Sequence, residues 1–84
     1  MRLLIIEDEQ ELCLMICKVL KSKGYSVDYS FNGEEGMELL EVENYDLVIL
    51  DLNLPGMDGM TILSNFRQFN RETPVLILSA RVSV

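Results

Sequence analysis

Four short apolar runs alternate along the chain with three longer stretches in which apolar residues recur at helical spacing. The runs predict β-strands over residues 2–6, 25–30, 47–50 and 75–78. The first, third and fourth runs contain consecutive large aliphatic side chains, which is typical of parallel strands that are covered on both faces. The second run alternates between apolar and polar residues and therefore suits the edge of a sheet.

Helices are predicted over residues 9–23, from residues 32–33 to about residue 42, and over residues 59–70. Apolar residues at helical spacing are expected to face the core. They are Leu12, Met15, Ile16, Val19 and Leu20 in the first helix, Met37 and Leu40 in the second, and Ile62, Leu63, Phe66 and Phe69 in the third. The glutamates of the second helix, at positions 34, 35, 38 and 41, are expected to form a solvated face.

The alternation of strands and helices predicts the α/β class, with a doubly wound parallel sheet. With the flavodoxin-like strand order 2-1-3-4, right-handed crossovers place the first helix alone on one face of the sheet. The second and third helices then lie on the opposite face.

Length and composition narrow the range of functions. Eighty-four residues, 49% of them hydrophobic and 25% charged, predict a single globular domain. Apolar runs are far shorter than the roughly 20 residues of a membrane helix, and no signal peptide is evident, so a cytoplasmic location is expected. A net charge of -7 argues against direct nucleic-acid binding by this segment. Without histidine a Cys/His zinc site is excluded, and Cys13 and Cys17 are interpreted as packing residues.

Polar side chains follow three of the predicted strands. Glu7 and Asp8 follow the first, Asp51 the third, and Ser79 the fourth. In the predicted strand order these positions meet at the switch point, outside the carboxyl ends of the strands, where ligands of such folds bind. An alternative is that Asp51 only caps the turn that follows it.

Three neighbouring carboxylates repel one another, so one of them holds a proton or the group binds a hard cation. Magnesium is the natural candidate, because it accepts carboxylates, other oxygen ligands and water. An aspartate is also a competent nucleophile toward phosphorus. The residues therefore predict phosphoryl transfer to Asp51 with the help of Mg²⁺.

At these residues the chain closely resembles the receiver domain of bacterial two-component response regulators. The matching segments are LLIIEDE, KGYSVD, YDLVILDLNLPGMDG and PVLILSAR. The resemblance implies that Asp51 accepts a phosphoryl group from a sensor histidine kinase. It also implies that Asp8, Asp51 and the backbone carbonyl of Asn53 bind Mg²⁺, that Glu7 acts near the metal through water, and that the Ser79 hydroxyl receives a phosphoryl oxygen.

The resemblance also shows what this sequence lacks. Receiver domains have five strands and five helices, whereas four strands and three helices are predicted here. A lysine and an aromatic switch residue associated with the fifth strand are missing, as are helix four, strand five and helix five. The chain is therefore interpreted as a truncated receiver domain. The segments LPGMDG and SAR are most similar to those of regulators that control transcription through a C-terminal DNA-binding domain. These 84 residues do not include such a domain.

Two other functions remain open at this point. One is a Mg²⁺-dependent phosphohydrolase with Asp51 as nucleophile, although such enzymes place a second aspartate where Asn53 stands. The other is an assembly fragment without phosphotransfer activity. Because the predicted sheet stops at strand four, that strand would be a poorly protected edge, and apolar residues of strands three and four would lie open beside helix one. A homodimer or higher oligomer is therefore expected.

Overall fold

A computed structural model describes residues 1–78 as a parallel sheet with three helices. The strands are β1 (Arg2–Ile6), β2 (Ser26–Ser30), β3 (Leu47–Asp51) and β4 (Val75–Leu78). The helices are α1 (Gln10–Ser22), α2 (Gly33–Val42) and α3 (Gly59–Phe69). The predicted elements are confirmed, with end positions that differ by at most one residue. Ser79, whose hydroxyl was predicted to receive a phosphoryl oxygen, lies outside the described residues.

The strand order is β2-β1-β3-β4, as predicted, and all three pairings are parallel. In the central pair, Leu3 lies opposite Leu47 and Ile6 lies opposite Leu50. Both strands therefore end at the same level of the sheet. This register fixes where the residues that follow them meet.

The two faces of the sheet carry separate hydrophobic cores. Met37 of α2 and Ile62 of α3 belong to one core, whereas Cys13 and Cys17 of α1 belong to the other. Alternate residues of β1 and β3 contribute to the two cores, so that Leu4 and Leu3 face opposite sides. Helix α1 therefore lies on one face and α2 and α3 lie on the other, as right-handed crossovers require.

Helix α1 buries a different stripe from the predicted one. Cys13 and Cys17 are almost fully buried, while Met15 and Val19 are 58% and 50% exposed. The prediction was wrong for Met15 and Val19 because the apolar stripe of α1 is wider than the contact with the sheet. Burial raises the pKa of both thiols, to about 12 for Cys13. Both cysteines are therefore packing residues, as interpreted from the sequence.

Two further burial predictions need correction. Phe69 was expected in the core, but it lies at the last position of α3 and is largely exposed, with its ring edge-on to Phe66. Strand β3 was expected to lie open beside α1, but Ile49 is buried in the α1 core. Exposure is instead concentrated on β4, where Leu76 and Ile77 are 53% and 36% exposed.

Charged groups tie the strands together at the end of the sheet opposite to the carboxyl ends. The Arg2 guanidinium donates to Asp28 at 2.9 Å and to Glu43 at 2.8 Å. The Tyr45 hydroxyl also donates to Asp28, at 2.7 Å, and the Arg2 amide donates to Asp46. These contacts join β1, β2 and the start of β3.

No helix within residues 1–78 is both long and apolar enough to cross a membrane.

Candidate functional site

Three carboxylates meet at the carboxyl ends of β1 and β3. One oxygen each from Glu7, Asp8 and Asp51 lies within 4.8 Å of the other two. Glu7 and Asp8 directly follow the last residue of β1, and Asp51 is the last residue of β3. The parallel register of the central strands therefore brings together residues that are more than forty positions apart in the sequence.

Asp51 has two local roles. Its side chain is mostly buried, with 9% of the residue exposed, and its Oδ1 accepts a hydrogen bond from the Asn53 amide at 3.1 Å. That bond is the turn-capping role considered as the alternative for this residue. The same carboxylate also belongs to the acidic cluster. Capping and membership of the cluster are therefore both realised in the structure.

Glu7 is the most deeply buried of the three acids, with 5% exposed. Its backbone amide donates to the Ser30 carbonyl at 3.0 Å, and its Oε2 accepts from the Glu9 amide at 3.3 Å. Burial, followed by the adjacent Asp51 carboxylate, raises the pKa of Glu7 to about 7. The close approach of the acids therefore shifts proton uptake by the cluster toward neutral pH.

The cluster has the chemistry of a site for a hard cation. It offers only oxygen donors, two of the three acids are buried, and Asp8 is exposed on the solvent side. Within residues 1–78, the side-chain ion pairs join Arg2 to Asp28 and Glu43, so no ion pair neutralises the cluster. A divalent cation with carboxylate and water ligands, such as Mg²⁺, fits this donor set.

A loop of residues 52–58 carries Asn53 away from Asp51 and leads into α3. Leu54 anchors the loop in the core, and the Asp58 carboxylate caps α3 by accepting from the Thr61 amide at 3.0 Å. The Gly59 amide donates to the Leu52 carbonyl at 3.1 Å. The loop therefore returns tightly against the end of β3.

A backbone constraint at the start of α3 was not predicted from the sequence. A Cβ atom at Gly59 would overlap the Asp51 carbonyl oxygen and lie 2.5 Å from the Leu52 Cα. Glycine is therefore required for the chain to pass so close to the residue at the centre of the site. The available signal was the Asp58-Gly59 pair, which is typical of chain reversals.

Of the residues predicted for the site, the structure brings Glu7, Asp8 and Asp51 together. Asn53 lies two residues beyond Asp51 and is hydrogen-bonded to it through its amide. Ser79 belongs to the part of the chain outside residues 1–78. The described geometry therefore gathers the predicted acids in one place.

Comparisons with known proteins agree with this geometry. The sequence pattern of the response regulator receiver domain matches residues 3–84. The chain is 43% identical over 81 residues to the transcriptional regulatory protein DltR of Streptococcus agalactiae, covering 96% of this chain and 36% of that protein. The chain thus spans about a third of the length of this curated relative.

Two solved structures from Thermotoga maritima are similar in sequence and in fold. The response regulator protein TrrA in complex with Mg²⁺ and BeF is 32% identical with a TM-score of 0.89, over 95% of this chain and 70% of that chain. The complex of histidine kinase ThkA with TrrA contains a chain that is 32% identical with a TM-score of 0.87. That match covers 98% of this chain and 71% of the other.

The raised pKa of Glu7 predicts an unusual dependence of stability on pH in metal-free buffer. The folded state holds a proton more tightly than the unfolded state, so the free energy of unfolding should fall as pH rises from about 4.5 to about 7. Glu7→Gln should reduce this fall, as measured by urea unfolding at a series of pH values with a chelator present. Glu38→Gln, which changes an exposed glutamate of α2, is the matched control and should retain it. An unchanged pH profile in Glu7→Gln would contradict the assignment.

Proposed function

The chain belongs to the response regulator receiver domain family, and from this membership we propose that Asp51 accepts a phosphoryl group from a sensor histidine kinase. One observation carries the proposal, namely the meeting of Glu7, Asp8 and Asp51 at the ends of two paired strands. A nucleophilic carboxylate beside other metal-binding carboxylates is the arrangement that this chemistry needs.

The residues proposed to hold Mg²⁺ are Asp8, Asp51 and the backbone carbonyl of Asn53, with Glu7 acting through water. Bound Mg²⁺ supplies positive charge that offsets the negative charge of the transferred phosphoryl group. Burial of Glu7 and Asp51 limits their hydration and strengthens their attraction for a cation. Loss of the proton from Glu7 accompanies metal binding near neutral pH, because metal ligands act in their deprotonated forms.

The protein's own part in the reaction is to hold Asp51 in place. The hydrogen bond from the Asn53 amide fixes Oδ1 and so orients the whole carboxylate. A carboxylate oxygen of Asp51 forms the new bond to phosphorus as the bond from phosphorus to the kinase histidine nitrogen breaks. The bonding electrons remain on the imidazole, and the product is an acyl phosphate. The Ser79 hydroxyl is proposed to donate a hydrogen bond to a phosphoryl oxygen.

The partner and the output follow from the similar proteins. A structure similar to this chain is a complex of a histidine kinase with a response regulator, which supports a kinase as the phosphoryl donor. DltR is a transcriptional regulatory protein, which supports a role in the control of transcription and a cytoplasmic location. Because the chain spans only 36% of that relative, the output domain is a proposal about residues outside this sequence.

Phosphorylation at Asp51 is directly testable. Incubation with acetyl phosphate or a phosphorylated histidine kinase, with Mg²⁺ present, should produce an adduct on Asp51 that is stable in acid and labile in base. Asp51→Asn should abolish labelling because the amide is not a competent nucleophile. Peptide mapping by mass spectrometry locates the adduct, both on this chain and on a version extended to a complete receiver domain with the lysine that follows strand five.

Asp46→Asn serves as the control. Asp46 immediately precedes β3, at the end of the strand opposite to Asp51, so this substitution should leave labelling unchanged. An extended version that shows no label on Asp51 would contradict the proposal. Steady release of phosphate from small phosphomonoesters would instead support the phosphohydrolase alternative.

Magnesium should stabilise the folded chain. A ligand that binds only the folded state, at ten times its dissociation constant, raises the free energy of unfolding by about 1.4 kcal/mol. The thermal midpoint should therefore rise with Mg²⁺ concentration, and Asp8→Asn should remove much of that rise. Differential scanning calorimetry with Asp46→Asn as control measures the effect. An identical response in Asp8→Asn would place the metal elsewhere.

The 84-residue chain by itself is proposed to self-associate through β4. Support comes from Leu76 and Ile77, which are exposed on opposite faces of a strand that carries no charged residue. Sedimentation velocity at micromolar and millimolar concentrations should show concentration-dependent dimers or larger species. Ile77→Lys should shift the chain toward monomer, because a charge on the strand opposes pairing. A chain that remains monomeric at all concentrations would contradict this proposal.

A further inference from the structure

The loop of residues 52–58 is held from outside by the first turn of α2. The Gly33 amide donates to the Pro55 carbonyl at 3.4 Å. A Cβ atom at Gly33 would overlap the Met57 carbonyl oxygen and lie 2.8 Å from its carbonyl carbon. Helix and loop are thus in backbone-to-backbone contact at a position where only glycine fits.

The contact at Gly33 has no local explanation in the helix. Gly33 does not have a positive φ, so its backbone conformation is open to other residues. Alanine would also favour a helix more than glycine does. The start of α2 is already fixed by Asn32, whose side chain accepts from the Glu35 amide at 2.8 Å. What requires glycine here is therefore the closeness of the loop.

The start of the same loop is held by Gly59, which packs against the backbone of Asp51 and Leu52. Along the chain, Asn53 lies between this contact and the Gly33 contact at Pro55 and Met57. The Asn53 amide is also bonded to the Asp51 carboxylate. If Pro55 and Met57 moved away from α2, fewer contacts would hold the Asn53 backbone in place. The position of that backbone decides where its carbonyl can meet a cation.

We infer that Gly33 is a positioning residue for the cation site, which it supports by allowing α2 to press the loop of residues 52–58 against the end of β3. This inference rests on the proposed Mg²⁺ binding at Glu7, Asp8 and Asp51. Gly33 touches neither the metal nor the phosphoryl group in this scheme. Its effect passes through the loop backbone to Asn53.

Gly33→Ala tests the inference, and Gly36→Ala is its matched control. Both glycines are buried in the first half of α2, and both substitutions add one methyl group. At Gly36 the added methyl would meet only side-chain atoms of Ile6, the nearest being Cδ1 at 2.6 Å. At Gly33 it would meet backbone, which can move only if the loop moves.

The measurement is Mg²⁺ affinity of the folded chain, from titrations followed by amide nuclear magnetic resonance. Gly33→Ala should weaken Mg²⁺ binding by about tenfold or more, which is typical when a residue that orients a metal ligand without touching the metal is lost. It should also shift the Asn53 amide resonance before any metal is added. Gly36→Ala should lose stability in urea but keep the wild-type affinity. Unchanged affinity in Gly33→Ala, or an equal loss in both variants, would overturn the inference.

A measurement on the wild type covers the case in which Gly33→Ala does not fold. The Gly33 amide should respond to Mg²⁺ with the same midpoint as the Asn53 amide, because the two are joined through one loop. A Gly33 amide that does not respond while Asn53 does would overturn the inference and leave the proposed function standing. If no amide around Asp51 responds to Mg²⁺ in the wild type, the proposed function itself fails, and this inference fails with it.

Discussion

The parallel pairing of β1 with β3 is the constraint on which the rest of the site depends. The pairing sets Ile6 opposite Leu50, so the residues that follow, Glu7 and Asp51, leave the sheet side by side. The apolar side chains of both strands are buried in the two cores, which makes a slip in register costly. Hydrophobic burial thus provides the free energy that holds like charges close together.

That concentration of charge shapes the chemistry of the site. The pKa of Glu7 is raised by burial and by its acidic neighbours, so the cluster binds a proton more readily than isolated carboxylates do. The same burial supports the proposed binding of a cation, because poorly hydrated carboxylates gain more from a positive charge. Proton uptake and the proposed metal binding therefore offset the same repulsion, and the fold sets the size of that repulsion.

Close backbone contacts at two glycines position the loop that carries Asn53. Gly59 lets the loop return onto Asp51, and Gly33 lets α2 approach the far end of the same loop. The loop that carries Asn53 is thus enclosed by two helices and a strand. In a fold of this kind, the position of a backbone carbonyl is set by such contacts and by turn capping, here the bond between Asn53 and Asp51.

The sequence by itself determined the element order and the identity of the three acids, because hydrophobic period and strand-end position are local properties that survive folding. The strand order was assumed from the flavodoxin-like fold class, and the structure confirms it. It could not determine which side of α1 is buried, since Met15 and Cys13 are both acceptable core residues and only the position of the sheet selects between them. Nor could it show that Ile49 is covered or that Phe69 lies past the edge of the core. The glycine contacts at Gly33 and Gly59 were likewise decided by tertiary structure, because the closeness of two backbones depends on segments distant in the sequence.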